Sequence, residues 1–217
     1  MLAILLVVAT QPPIAPPPRP ADPFAKWESG IVAIEKRLAA NPPKPGGVFF
    51  VGASSIVGWD LKKYFPDSGY VNVGFGGSVI ADSTHFAHRI ITPYKPSVIV
   101  FYAGDNDIAA GRKAEQVAED FQAFLATARK DNPSCRVLFL AVKPSIARWK
   151  KFDEQKKANA LVRELCEKGD RLTYVDTVTP MLGSDGMPNP ELFVKDGLHL
   201  SPKGYELWTA AVNRAMK

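Results

Sequence analysis

Histidine is scarce in this chain: three in 217 residues, at His85, His88 and His199. Cysteine is scarcer, with only Cys135 and Cys166. Two thiols without a C-x-x-C pairing exclude a zinc or iron–sulfur cluster, and no completed metal-ligand set appears elsewhere. No run of five or more basic residues occurs. The net charge of +5 comes from scattered pairs such as Lys62-Lys63, Lys150-Lys151 and Lys156-Lys157, without the aromatic–basic interleaving that tracks a nucleic acid, so no nucleic-acid partner is expected. No apolar run reaches the roughly 20 residues needed to cross a bilayer, so no integral membrane span is expected.

One apolar run does stand out, at residues 2–9. It resembles the hydrophobic part of a secretory signal peptide, with Ala9 after Val7 as a cleavage position, although the basic start is missing. A Pro-rich stretch follows and reads as an extended linker. Residues 1–21 are therefore set apart from a domain over 22–217, and the expectation is export to the periplasm or medium. No cysteine follows the run, so no lipid anchor is indicated. The hydrophobic share of 46% suffices for one good-sized core in the remaining chain and too little for two.

From residue 22 onward two periods alternate. Apolar residues at Phe24, Trp27, Ile31, Ile34 and Leu38 follow helical spacing. The runs GVFFVG, YVNVGF, SVIVFYAG, RVLFLAV and LTYVD read as five short strands buried on both faces. Helical patterns separate them at 81–91, 114–129 and 153–167, and a last helix spans 202–216. Pro202 suits its first turn and Ser201 its cap. Strands alternating with helices predict βαβ units, hence an α/β fold: a three-layer α/β/α sandwich on a five-stranded parallel sheet. Such sheets bind ligands at the carboxyl ends of their strands.

Four loops at that edge carry the chemistry-bearing residues. GASSIVGW follows strand one, and a serine there is by default an N-cap. The N–H groups of the helix it opens can also stabilise an anion. NVGFGGS follows strand two. Gly74 and Gly76 begin a dinucleotide fingerprint, but position 79 is Val79, so the pattern fails. It is either a tight turn or bare backbone presenting the Gly77 N–H to a reacting group. AGDND follows strand three, where Asn106 either caps its own backbone or aims its amide at an oxyanion. DGLH follows strand five. DGLH alone reads as an ordinary polar loop; alternatively Asp196 and His199 at i, i+3 can face the same way on one helical turn, the acid orienting one ring nitrogen and freeing the other as a base. His85 and His88 lack such a partner and read as helix-surface residues.

In this order the blocks FVGASSI, NVGFGGS, YAGDND and DGLHLS resemble the SGNH, or GDSL-type, hydrolases, named for a Ser, a Gly, an Asn and a His in four blocks. The resemblance covers about residues 47–210 and implies a flavodoxin-like fold. It implies Ser54 as nucleophile and His199 as base with Asp196 as its partner. The oxyanion hole would be the Ser54 N–H, the Gly77 N–H and the Asn106 side chain. The family's usual Asp before the nucleophile is Ala53 here, outside the triad. Ser54 rather than Ser55 matches the block. The implied activity is ester hydrolysis through an acyl-enzyme, with no metal or organic cofactor.

The substrate is then a small ester or acylated sugar. No long apolar lid segment is present, which points to short acyl chains, in a carboxylesterase, arylesterase or lysophospholipase-like enzyme. A carbohydrate O-acetylesterase is the alternative, and a catalytically inactive binding domain on the same fold is the alternative of another class. Phe75, Arg148 and Trp149 border the predicted cleft as candidate substrate contacts, against a packed aromatic and a solvated arginine. Cys135 precedes strand four and Cys166 ends the helix after it, so both fall at the edge opposite the site. An exported chain would be able to join them, closing a loop of about 30 residues; the other reading is two buried thiols.

Overall fold

The computed structural model describes residues 22–217, so the signal-like run and the Pro-rich linker at 1–21 lie outside the described residues. Five strands, β1 Val48–Gly52, β2 Val71–Asn72, β3 Val98–Tyr102, β4 Arg136–Leu140 and β5 Leu172–Val175, form one sheet in the order β2-β1-β3-β4-β5. Every pairing is parallel, with Val48 opposite Val98, Val98 opposite Arg136 and Val137 opposite Leu172. Among the described residues the α-helices are α1 Glu28–Ala40, α2 Ser54–Val57, α3 Leu61–Tyr64, α4 Ile80–Ile90, α5 Asp105–Ala109, α6 Ala114–Arg129, α7 Phe152–Lys168 and α8 Pro202–Met216. This is the three-layer α/β/α sandwich expected from the alternation of periods.

Each strand divides its side chains between two cores because successive residues point to opposite faces. Phe49, Val51, Ile99, Phe101, Val137 and Phe139 meet α1, α4, α6 and α7 on one face. Phe50, Val100, Tyr102, Leu138 and Leu140 meet α8 and the short α2 and α3 on the other. That second core is aromatic: Trp59, Phe65, Tyr205 and Trp208 lie 5.2–5.7 Å from one another or from Phe50 by ring centroid.

The strand expected over YVNVGF is regular for two residues only, yet its path continues. Val73 N–H donates to Phe50 O at 2.9 Å and Phe75 N–H to Gly52 O at 3.0 Å. The glycine loop is therefore carried along the end of β1 and delivered beside the residues that follow Gly52. Gly52 itself has φ +134, and a Cβ there would sit 1.8 Å from Tyr102 O. Only glycine lets β1 end this close to β3.

Cys135 and Cys166 are free, buried thiols in the core on the α1, α4, α6, α7 face. The disulfide entertained above is not formed. Burial pushes both thiols up to about 11, so they behave as small apolar side chains.

Candidate active site

Ser54 is the first residue of α2, and Ala53, in extended backbone, occupies the cap position. The Ser54 hydroxyl is therefore not consumed as a cap; it lies 3.1 Å from His199 Nε2. Ser55, one residue on, is 1% exposed and its carbonyl accepts from Tyr205 Oη at 3.0 Å. The helical advance turns one serine to the cleft and its neighbour into the aromatic core.

Of the two readings of segment 196–199, a polar loop or a helical turn, the structure has the loop: a tight turn in which Gly197 takes φ +65. Asp196 organises it. Its Oδ1 accepts from the Leu198 N–H at 2.8 Å and the His199 N–H at 2.9 Å, and its Oδ2 meets His199 Nδ1 at 2.6 Å. One carboxylate builds the turn and orients the ring. The His199 hydrogen bond and these two backbone N–H groups hold its carboxyl well below the usual carboxylate range. With Nδ1–H donating to the acid, Nε2 is left to accept from the Ser54 hydroxyl. The turn is stitched at its base by Val194 N–H to His199 O and by a bridge between Phe193 and Leu200. Beyond it, Ser201 caps α8, accepting from the Gly204 N–H at 3.3 Å.

Three candidate N–H donors lie in the loops that follow β1, β2 and β3. The Ser54 N–H is the first of α2 and has no intrahelical acceptor. Gly77 adopts φ +76 and is exposed; among the described residues its N–H donates to no protein acceptor. Asn106 Nδ2 donates to Ser78 O at 2.9 Å, which fixes the amide plane and leaves a second N–H. Three consecutive side chains of α5 thus address three different places. Asn106 holds the glycine loop. Asp107 accepts from the Ile80 N–H at the start of α4, at 3.2 Å. Asp105 accepts from Lys143 Nζ at 3.4 Å and Arg148 Nη1 at 2.9 Å. The two acids thus accept from protein donors through Asp107 Oδ1 and Asp105 Oδ2.

Sequence reasoning singled out Asn106 and passed over its flanking acids and Lys143. The signal that would have found them is polarity inside strand-end segments that are otherwise apolar. Arg148 is not the solvated arginine of the bland reading, since Asp105 holds it. Trp149 stacks on Phe152 with centroids 4.6 Å apart. Phe75 is buried edge-on against Trp27 and Phe86. It supports the glycine loop from below, and no contact surface toward the cleft is left to it beyond 6% exposure. His85 and His88 lie on the exposed side of α4, His85 stacked on Phe24 at 3.7 Å.

The site is an open notch: the His199 and Asp196 side chains are 43% and 47% exposed. A cavity of about 340 Å³ between α7 and the end of β5, lined by Arg163, Tyr174 and Asp176, includes none of the Ser–His–Asp residues. A hydroxyl joined to a carboxylate-oriented imidazole, with N–H donors in the neighbouring strand-end loops, supplies the groups that acyl transfer to water needs.

The profile of the GDSL-like lipase/acylhydrolase family matches residues 46–207. No curated protein matches the chain. Among solved structures, an assigned acylhydrolase from Bacteroides fragilis shares 23% identity at TM-score 0.72, covering 91% of this chain and 98% of its own. A GDSL-like lipase from Bacteroides thetaiotaomicron shares 22% at TM-score 0.69, covering 89% and 97%. A carbohydrate esterase family 3 protein from Talaromyces cellulolyticus shares 15% at TM-score 0.59, covering 78% and 95%.

Proposed function

The chain belongs to the GDSL-like lipase/acylhydrolase family, and from that premise we propose that it is a serine esterase cleaving carboxylic esters of short acyl chains through an acyl-enzyme. The observation that carries this reading is the relay from Asp196 through His199 to Ser54, with contacts of 2.6 and 3.1 Å. His199 Nε2 takes the Ser54 proton as Oγ attacks the ester carbonyl. The oxyanion that forms accepts from the Ser54 and Gly77 N–H groups and the free N–H of Asn106. Collapse expels the alcohol, which takes the proton back from His199. Water, deprotonated by the same nitrogen, then attacks the acyl-serine and releases the acid. Losing one oxyanion donor costs about 10²–10³ in kcat in such sites.

The openness of the notch, with the His199 and Asp196 side chains exposed among the described residues, supports small or projecting acyl groups. It equally suits an acetyl group on a bulky alcohol, and the likeness in fold to a carbohydrate esterase favours a carbohydrate O-acetylesterase as the second reading. A fluorophosphonate probe followed by mass mapping tests the mechanism: a single adduct at Ser54 is expected, and none on Ser54→Ala. Absence of labelling in the native chain would favour a binding domain. A panel of p-nitrophenyl esters from acetate to decanoate, with acetylated xylan and a lysophospholipid, then separates the substrates. Activity should peak at the shortest acyl chains.

A further inference from the structure

The loop after β4 supplies two cations, Lys143 and Arg148, to a buried ion cluster around Asp105 of α5 that the acyl-transfer steps do not use. The side chain of Lys143 is 1% exposed and that of Asp105 7%, with Arg148 closing the cluster at 22%. Both cations meet the same oxygen, Asp105 Oδ2, and Lys143 Nζ also lies 3.3 Å from Tyr102 Oη. Burial pulls the Lys143 ammonium below its ordinary value, with Asp105 opposing. Removing such charges from water is expensive, and apolar replacements of similar size are often neutral or stabilising. Net stability is thus a weak reason for the cluster. Its geometry offers another.

Asp105 is covalently next to Asn106, whose amide donates to Ser78 O in the glycine loop at 2.9 Å and is the oxyanion donor of the esterase reading. Its two cationic partners bracket residues 143–148. That loop reaches the Asp196–His199 turn through the Ala147 N–H, which donates to Gly197 O at 3.1 Å. A Cβ on Gly197 would fall 3.1 Å from Ile146 Cβ, so the two backbones are flush. A continuous path therefore runs from Asn106 through Asp105, Lys143 and Arg148, and Ala147 to Gly197, joining the oxyanion donor to the base.

We propose that Asp105 is a positioning residue: clamped by Lys143 and Arg148, it sets the spacing between the Asn106 amide and the Asp196–His199 turn. Its catalytic consequence rests on the esterase reading above. Because it acts through Asn106, its loss falls on kcat, where transition-state geometry counts, and spares ground-state binding.

The test is a double-mutant cycle on p-nitrophenyl acetate. Asp105→Asn is expected to lower kcat about 10–100-fold, with KM held within about twofold. Asn106→Ala is expected to lower it about 10²–10³-fold, and the double variant to match Asn106→Ala within about threefold. Losses that multiply in the double variant overturn the proposal. Because Asp105→Asn leaves Lys143 poorly paired, a charge-free variant, Lys143→Met with Asp105→Leu and Arg148→Met, provides the second arm. It should fold and show the same kcat loss; wild-type kcat in it overturns the clamp. An arm independent of activity is hydrogen exchange over residues 194–200, expected to quicken about tenfold in Asp105→Asn. Unchanged exchange refutes the clamp. Quickened exchange in a chain that hydrolyses no ester refutes the esterase reading and leaves the clamp standing.

Discussion

A hydroxyl and an imidazole 145 positions apart meet at 3.1 Å because each sits in a short turn that dictates its direction. For the hydroxyl the turn is the start of α2; for the imidazole it is the Asp196 turn. Ser54→Ala should therefore abolish ester hydrolysis, by at least about 10⁴ in kcat, while Ser55→Ala keeps most of it. Equal losses in the two variants would remove Ser54 from its role. Asp196→Asn should cost about 10²–10⁴, since the amide still accepts backbone N–H groups but no longer fixes the ring tautomer. Asp107 makes a different kind of prediction. Burial raises its carboxyl from the usual 3.8 to about 6, and Oδ2 has no partner among the described residues. A raised folded pKa in an acid favours the folded state fully below about 3.8, and that contribution disappears as pH rises through about 6. At pH 8 the carboxylate is a burden that an amide avoids while still accepting the Ile80 N–H. Asp107→Asn should gain about 1–3 kcal/mol at pH 8, less as the pH falls through 6, and nothing below about 4. Urea melts at pH 4, 6 and 8 would show this; an equal gain at all three would contradict it.

Among the elements, those with long apolar periods were readable in advance. The helices α6 and α8 run over 114–129 and 202–216 as the periodicity and the Ser201-Pro202 pair predict. Helices α2, α3 and α5, of four or five residues each, carry no period long enough to register, although two of them hold site residues. Three of the polar loops were legible because strands give way within a few residues to serine, glycine and asparagine; the His199 segment lies well past the end of β5 at Val175 and was legible from its Asp196–His199 spacing. The Asp196 segment stayed open between a polar loop and a helical turn because i, i+3 spacing serves both geometries, and only the positive φ of Gly197 decides. Two element-scale changes probe the frame that holds these loops. Gly52→Ala has no room against Tyr102 O and should yield no folded protein, read as loss of soluble monomer with native near-ultraviolet circular dichroism. Asn159, buried on α7, accepts from the Val142 N–H at 2.7 Å and donates to Val142 O at 2.9 Å. It extends the end of β4 as a neighbouring strand would. Asn159→Ala leaves both backbone groups unpaired and should cost about 2–4 kcal/mol in denaturant unfolding.

Over the whole molecule, the parallel sheet separates duties by edge: every candidate catalytic group lies where strands end, and the opposite edge is left to packing. Composition and alternation foretold the layers, while the ion cluster of Asp105, Lys143 and Arg148 depends on contacts across 38 and 43 residues that no local pattern encodes. The buried thiols belong to this scale as well. With Cys135 and Cys166 enclosed, unbonded and pushed up to about 11, the folded protein should resist maleimides and Ellman's reagent. Two thiols should titrate once it is unfolded without reductant, and a count of zero would reveal a bridge. For the bench, the native fold then presents no competing nucleophile of sulfur. A cysteine introduced at exposed Lys130, at the end of α6 and far from Ser54, would be a single addressable handle. Through it a dye or a solid support can be attached with every molecule facing its notch outward.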